Sequence, residues 1–356
     1  MASWSRGRLR QAAPAPAGAA LFFNNQVRQY GPMRFAQPFL KLPIRFDAAA
    51  LEAEVRALPA SAWVPHPTGF PGNEAVRLVT VGGRPTDDFD GPMRPTENLA
   101  RCPYIQEVMA EIDGVWTRSR LMGLGAGAEV PLHVDSHYHW RTHIRIHIPV
   151  ITDPKVLFTC GDETVHMAPG ECWIFDSFRF HRVENGWTER RVHLVLDTVM
   201  TPSLRKLIDA AQANPGAEPK LLSPGTIASA QLRFEQFNAP AIMSAWEIRG
   251  HAAFIFEQAV EDPRVPVLRD RIERFADDWA AVWAQFGPST HGVPLYRRLL
   301  AECRAEIVQP ANKDVMLTNE AALINVLDSL IFVPALSAIP TSGNIVASVP
   351  RPRLAS

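Results

Sequence analysis

The chain has 356 residues, 47% of them hydrophobic and 21% charged, the balance of a soluble globular protein with room for a catalytic domain and a smaller second one. A formal net charge of -1 excludes a global electrostatic attraction to nucleic acid or to an anionic membrane, and no apolar run reaches the ~20 residues a bilayer requires. Cys102, Cys160, Cys172 and Cys303 form no CxxC pair, which argues against a disulfide framework or a zinc knot and for a reducing, cytoplasmic setting.

From Met1 to Phe46 basic residues such as Arg6, Arg8, Arg10 and Arg28 occur without an acidic one, as in a transit peptide. Pro14 and Pro16 interrupt the apolar stretch, however, so residues 1–30 read more simply as a disordered leader. A strand is expected over 42–46. Asp47 then caps a helix to Leu58, with Leu51, Val55 and Leu58 on one face. A second strand follows at 76–81, and a helix over 103–116 packs Ile105, Val108 and Ile112. From 118 to 199 the character is β. Strand-like runs at 120–124, 130–135, 143–150, 155–160, 164–168, 171–176, 181–184 and 191–199 are separated by turn residues such as Pro169-Gly170 and Asn185-Gly186. So many short strands suggest a sandwich or open barrel. Past Thr201 helical patterns take over, at 202–213, 243–260, 265–286, 293–307 and 320–332; Trp279 and Trp283, four apart, read as core. The expected organisation is a leader over 1–30, a mainly β catalytic domain over 31–205, a linker over 206–228, an all-α domain over 229–336 and a loose tail over 337–356.

Eight of the eleven histidines fall between His133 and His193. His133 and Asp135, two apart on a strand, project to one face, and His181 opens a later strand. Two imidazoles and a carboxylate are the 2-His-1-carboxylate facial triad of non-haem Fe(II), which leaves coordination positions open. The rival grouping, His139, His143 and His147 on one face of a zinc-binding helix, lacks the glutamate beside the first histidine. It is also contradicted by the β-branched alternation of Thr142, Ile144, Ile146, Ile148 and Val150. As a strand, that segment turns His143, Arg145 and His147 to the face opposite the isoleucines, and Arg191 and His193 alternate in the same way. Burying such groups is costly unless a charged partner arrives, and a dicarboxylate would be one. Read singly, Arg145 and Arg191 are as compatible with surface pairing to acids such as Asp162 or Asp197. Asp176 is open to two roles, orienting a ligand histidine or shaping a turn. Arg179, Arg182 and Arg190 are compatible with an anionic substrate but read more simply as a solvated basic face.

Residues 121–202, with looser similarity back to Leu42, resemble the aspartyl/asparaginyl β-hydroxylase family of Fe(II)- and 2-oxoglutarate-dependent oxygenases, through the motifs GAEVPLHVD, RIHIPV, APGECWIFDSFRFHRVEN and RRVHLVLD. The resemblance implies a double-stranded β-helix (jelly-roll, cupin-like) core with flanking helices. It implies iron ligation by His133, Asp135 and His181, and 2-oxoglutarate binding by Arg191 at one carboxylate and by Arg145 and His147 at the other. Two positions depart from the pattern. Animal members lack the carboxylate that Asp135 provides, which makes the chain more similar to bacterial members, including free-proline hydroxylases. Met122 stands where a co-substrate-binding serine is expected. The function so implied is a dioxygenase using Fe(II), 2-oxoglutarate and O2. It would hydroxylate an Asp-, Asn- or Pro-like residue, free or within a peptide or protein, and release succinate and CO2. A non-catalytic protein that senses a small carboxylate on the same barrel is the alternative, and a metal-dependent hydrolase a third reading. The expected partner is the amino-acid or peptide substrate, with neither nucleic acid nor membrane. The helical domain is open to service as a lid, a homodimer interface or a carrier dock.

Overall fold

Between residues 39 and 199 strands are the commonest regular element, and side chains alternate between two faces along the long ones. The computed structural model describes residue 35 and residues 37–238 and 240–336. The leader expected over 1–30 and the tail expected over 337–356 lie outside the described residues. Strands run over Phe39–Phe46 (β1), Val64–Pro65 (β2), Asn73–Val81 (β3), Met93–Pro95 (β4), Val115–Trp116 (β5), Ser119–Leu124 (β6), Glu129–His133 (β7), His143–Ile151 (β8), Val156–Cys160 (β9), Glu163–Val165 (β10), Glu171–Phe175 (β11), His181–Asn185 (β12), Arg191–Val199 (β13), Lys220–Leu222 (β14) and Arg233–Phe234 (β15). The large sheet has the order β14-β1-β11-β8-β13-β6-β3-β2, with β4, β5 and β15 attached to it, and the small sheet is β10-β9-β12-β7. Together they form the double-stranded β-helix.

The outer face of the large sheet is apolar. Ile144, Ile146 and Ile148 of β8 and Val192, Leu194 and Leu196 of β13 share one core with side chains of four helices, Ala48–Ala57 (α1), Glu97–Ala100 (α2), Pro103–Ile112 (α3) and Pro202–Ala213 (α4). Burying each aliphatic side chain contributes about 1.5–3 kcal/mol. That sets the register, because a one-residue slip would drive His143, Arg145 and His147 into this core. The inner face closes on the small sheet through Phe39, Phe158, Phe175 and Val183. Asp47 caps α1 as expected, accepting from the Ala50 amide at 3.0 Å.

The helix expected over 103–116 stops at Ile112. Asp113 takes the left-handed conformation (φ 57°, ψ 48°), and a Cβ on Gly114 would lie 2.8 Å from Thr198 and Trp116. The chain therefore turns, and Val115 and Trp116 pair with β13.

The helical part comprises Ala245–Glu257 (α5), Val265–Phe286 (α6), Val293–Ile307 (α7) and Leu323–Leu327 (α8), which runs on as a π turn over Asp328–Phe332. A reciprocal Ser244–Glu247 capping box starts α5. The helix expected from residue 320 begins only at Leu323, because Glu320 has a φ of 59°. Trp279 is fully buried and donates its indole N–H to the Met243 carbonyl at 2.8 Å, while Trp283 packs at the margin of the same core. Val134, Tyr138, Trp140 and Phe178, from the segments beside β7 and β12, also belong to this helical core. The described residues fall within one compact unit. Among them no helix is long and apolar enough to cross a membrane.

Candidate metal centre

β7 and β12 are antiparallel neighbours whose register sets His133 opposite His181, with ring centroids 4.1 Å apart. Asp135 lies beyond the end of β7 rather than on the strand expected over 130–135. Its position is fixed by its own amide, which donates to the Ser177 carbonyl at 3.0 Å. That bond returns the carboxylate to the histidines, so that Asp135 Oδ1 is 4.0 Å from His133 Nε2. Candidate ligand atoms of His133, Asp135 and His181 all lie within 4.8 Å of one another, and this is the one such group among the described residues. Backbone carbonyls set both tautomers. His133 Nδ1 donates to Pro131 O at 2.7 Å and His181 Nδ1 to Arg179 O at 2.9 Å. A carbonyl can only accept, so each Nδ1 carries the proton and each Nε2 keeps a free lone pair. Burial, reinforced by His133, pushes His181 down to about 3, leaving it neutral at physiological pH. Burial alone would raise Asp135, but the imidazoles of His181 and His133 and the Arg145 guanidinium beside it favour its ionised form and hold it below the ordinary carboxylate value.

The centre borders a cavity of about 120 Å³ walled on the large-sheet side by Met122, Arg145, His147, Arg191 and Val195. The structure treats the two expected carboxylate-binding arginines differently. Arg145 is already neutralised: Nε and Nη2 bond both oxygens of Asp197, its cross-strand neighbour, at 2.9 and 3.0 Å. Burial opposes its charge, yet the Asp197 carboxylate outweighs burial and raises Arg145 above the usual guanidinium value. The pair is inside the protein rather than at the surface. What remains is Arg145 Nη1, 3.9 Å from Asp135 Oδ2. Arg191 is 4% exposed and donates Nη1 to the Met122 carbonyl at 3.0 Å, while its Nε has no partner. Among the described residues it has no ion pair, and burial lowers it to about 10, so it stays charged. Beside it His147 is buried with both ring nitrogens unpaired; burial, then Arg145 and Arg191, hold it far below the usual imidazole value and keep it neutral.

The remaining histidines of the cluster divide. His193 shares the inward face with Arg191 but lies edge-on behind His147, with ring centroids 5.9 Å apart. His143 stacks on His139 at 3.7 Å and bonds Glu235 at 2.8 Å, so the rival trio makes a buried stacked pair and not a helical metal site. Asp176 is fully buried and shapes the turn before β12, accepting from the amide of Phe178 and from Arg179 Nε. Arg182 and Arg190 pair with Glu184 and Glu74 on the solvated face, as expected.

Two features escape the sequence reading. The helical part bonds the segments beside two candidate ligands: Ser329 Oγ donates to the carbonyl of Ser136, next to Asp135, at 2.8 Å, and Asn319 Nδ2 donates to that of Phe178, three residues before His181, at 2.7 Å. In addition, Arg118 and Arg120 are buried in the cavity wall. Their signal was the same period-two alternation, since Arg118, Arg120 and Met122 share a face.

Residues 77–201 match the family model described as aspartyl/asparaginyl beta-hydroxylase. That span runs from within β3 to just past β13 and contains every expected site residue. No curated protein matches the chain. Among solved structures, a 2OG-Fe(II) oxygenase-family oxidoreductase from Burkholderia pseudomallei is similar at 12% identity, over 43% of this chain and 90% of that one, with a TM-score of 0.31. A prolyl-4-hydroxylase from Pseudomonas putida is similar at 12% identity, over 47% and 95%, with a TM-score of 0.32. HygX from Streptomyces hygroscopicus, solved with nickel and 2-oxoglutarate bound, is similar at 13% identity, over 46% and 84%, with a TM-score of 0.31.

Proposed function

We propose that this chain, whose residues 77–201 match the aspartyl/asparaginyl beta-hydroxylase family model, is an Fe(II)- and 2-oxoglutarate-dependent dioxygenase that hydroxylates an amino-acid substrate with release of succinate and CO2. The donor set fits the metal. Two imidazoles whose Nδ1 atoms are held by backbone carbonyls, which turns Nε2 to the centre, and one ionised carboxylate converge on a cavity, the arrangement that leaves Fe(II) open positions. Bound iron would supply the activation of O2 for attack on an unactivated C–H bond.

The observation that carries the reading is Arg191. A buried guanidinium without a counter-charge costs several kcal/mol, and a bound carboxylate offsets that cost by charge-assisted hydrogen bonds. A dicarboxylate co-substrate in this cavity meets both Arg191 and neutral His147. Met122 offers no hydroxyl, so these two residues hold the carboxylate without the serine of the family pattern. Arg145 acts chiefly on the metal side: fixed by Asp197, it steadies the Asp135 carboxylate through Nη1. Phe158, Phe175 and Val183 line the cavity and exclude water around the reacting groups.

The test is to incubate the folded protein with Fe(II), 2-oxoglutarate and air and to measure succinate, with His133→Ala as control. Metal- and O2-dependent succinate, absent in the control, is expected. No succinate across a panel of free amino acids and peptides contradicts an oxygenase; 2-oxoglutarate binding without turnover supports the sensing role instead.

A further inference from the structure

Arg118 and Arg120 are 3% and 2% exposed, and both line the cavity that holds His133 and Asp135. Neither has a carboxylate to itself. Arg118 donates Nη1 to the Asp87 backbone carbonyl at 3.1 Å, its guanidinium lies 3.6 Å over the Phe89 ring, and its Nε has no partner. Arg120 donates Nη1 to His66 Nε2 at 3.1 Å, and the Asp87 carboxylate is 3.7 Å away. That carboxylate is itself held by Arg77, whose Nε donates to it at 3.2 Å. His66 supplies no negative charge: burial, then Arg120, push it down to about 2, so its ring is a neutral acceptor.

The charge balance of the cavity is therefore unfinished. Arg118, Arg120, Arg145 and Arg191 all reach it. Asp197 answers Arg145, Asp135 belongs to the metal centre, and Asp87 is shared with Arg77. A divalent metal and a dicarboxylate co-substrate would cancel each other, which leaves Arg118 and Arg120 as they were. Guanidiniums kept dry with mostly neutral acceptors are poised for an anion with planar, paired oxygens.

We infer that Arg118 and Arg120 form a substrate subsite that takes a carboxylate of the molecule to be hydroxylated. This rests on the oxygenase reading of the cavity, with Arg191 reserved for 2-oxoglutarate. The carboxylate comes either from the α-carboxyl of a free amino acid or from an acidic side chain within a peptide, and paired probes separate the two. L-Proline with L-prolinamide varies the first; N-acetyl-L-aspartic acid amide with N-acetyl-L-asparagine amide varies the second.

The experiment titrates each probe into wild-type protein loaded with Mn(II) and 2-oxoglutarate, by calorimetry. In at least one pair the acid binds on the order of tenfold or more tightly than its carboxamide, and Arg118→Met and Arg120→Met abolish that preference while 2-oxoglutarate affinity stays within about threefold. The wild-type comparison needs no variant, so a substitution that unfolds the protein leaves the inference exposed to it. Equal binding of acid and carboxamide in both pairs, or no binding of either acid, overturns the inference. A preference that survives both substitutions does so too, as does a loss of 2-oxoglutarate affinity in folded variants, which would assign these arginines to the co-substrate. Failure of wild-type protein to bind 2-oxoglutarate at all strikes the oxygenase reading instead.

Discussion

The β core and the helical part contribute to the candidate centre in different ways. Strands β7 and β12 supply the histidine donors, and the cross-strand register of His133 with His181 sets them side by side. The segments that follow β7 and precede β12 are packed into the helical core instead, through Val134, Tyr138, Trp140 and Phe178. Ser329 and Asn319 then bond the carbonyls of Ser136 and Phe178. The sheet decides which atoms can meet, and the helices decide how firmly the Asp135 carboxylate and the approach to His181 are held. A helical segment placed after a barrel can thus be part of its candidate site without contributing a ligand.

Five substitutions test that division, in order of expected effect. His181→Ala removes a donor from the sheet, and bound metal falls to background when measured by elemental analysis of the reconstituted protein. Arg191→Met leaves metal content intact but weakens 2-oxoglutarate binding by about 3 kcal/mol, on the order of 100-fold, the scale for deleting one partner of a buried charge pair. Ser329→Ala and Asn319→Ala each delete one neutral hydrogen bond of about 1 kcal/mol, and each weakens metal binding about fivefold. A fall in thermal stability with unchanged metal affinity would make the helical part a scaffold only, and the comparison would collapse. Arg182→Gln, which breaks an exposed pair with Glu184, changes stability by less than about 0.5 kcal/mol and leaves metal and co-substrate binding unaltered.

Strand parity made much of the core legible. The isoleucines of β8 and the aliphatics of β13 identified their buried faces, and by difference the inward placement of Arg145, His147 and Arg191. Parity could not place Asp135, because its position depends on a backbone bond to Ser177, forty-two residues away. Nor could it distinguish Arg145 from Arg191. Both occupy inward positions, but Asp197 stands opposite only one of them, and strand register has to be known to see this. The helix overrun at 103–116 has a local cause: Asp113 and Gly114 are turn residues within a pattern that otherwise continues. Arg118 and Arg120 were legible by the same alternation, and were hidden only by the prior that arginines on a strand face water.

The central claim is that His133, Asp135 and His181 hold a metal beside an arginine kept for 2-oxoglutarate. Titration of 2-oxoglutarate into the metal-free and the Mn(II)-loaded protein tests it most directly, because it requires both halves of the site and no knowledge of the substrate. The account predicts binding that depends on the metal and is lost in Arg191→Met. Equal affinity with and without metal, or binding indifferent to Arg191, would contradict it.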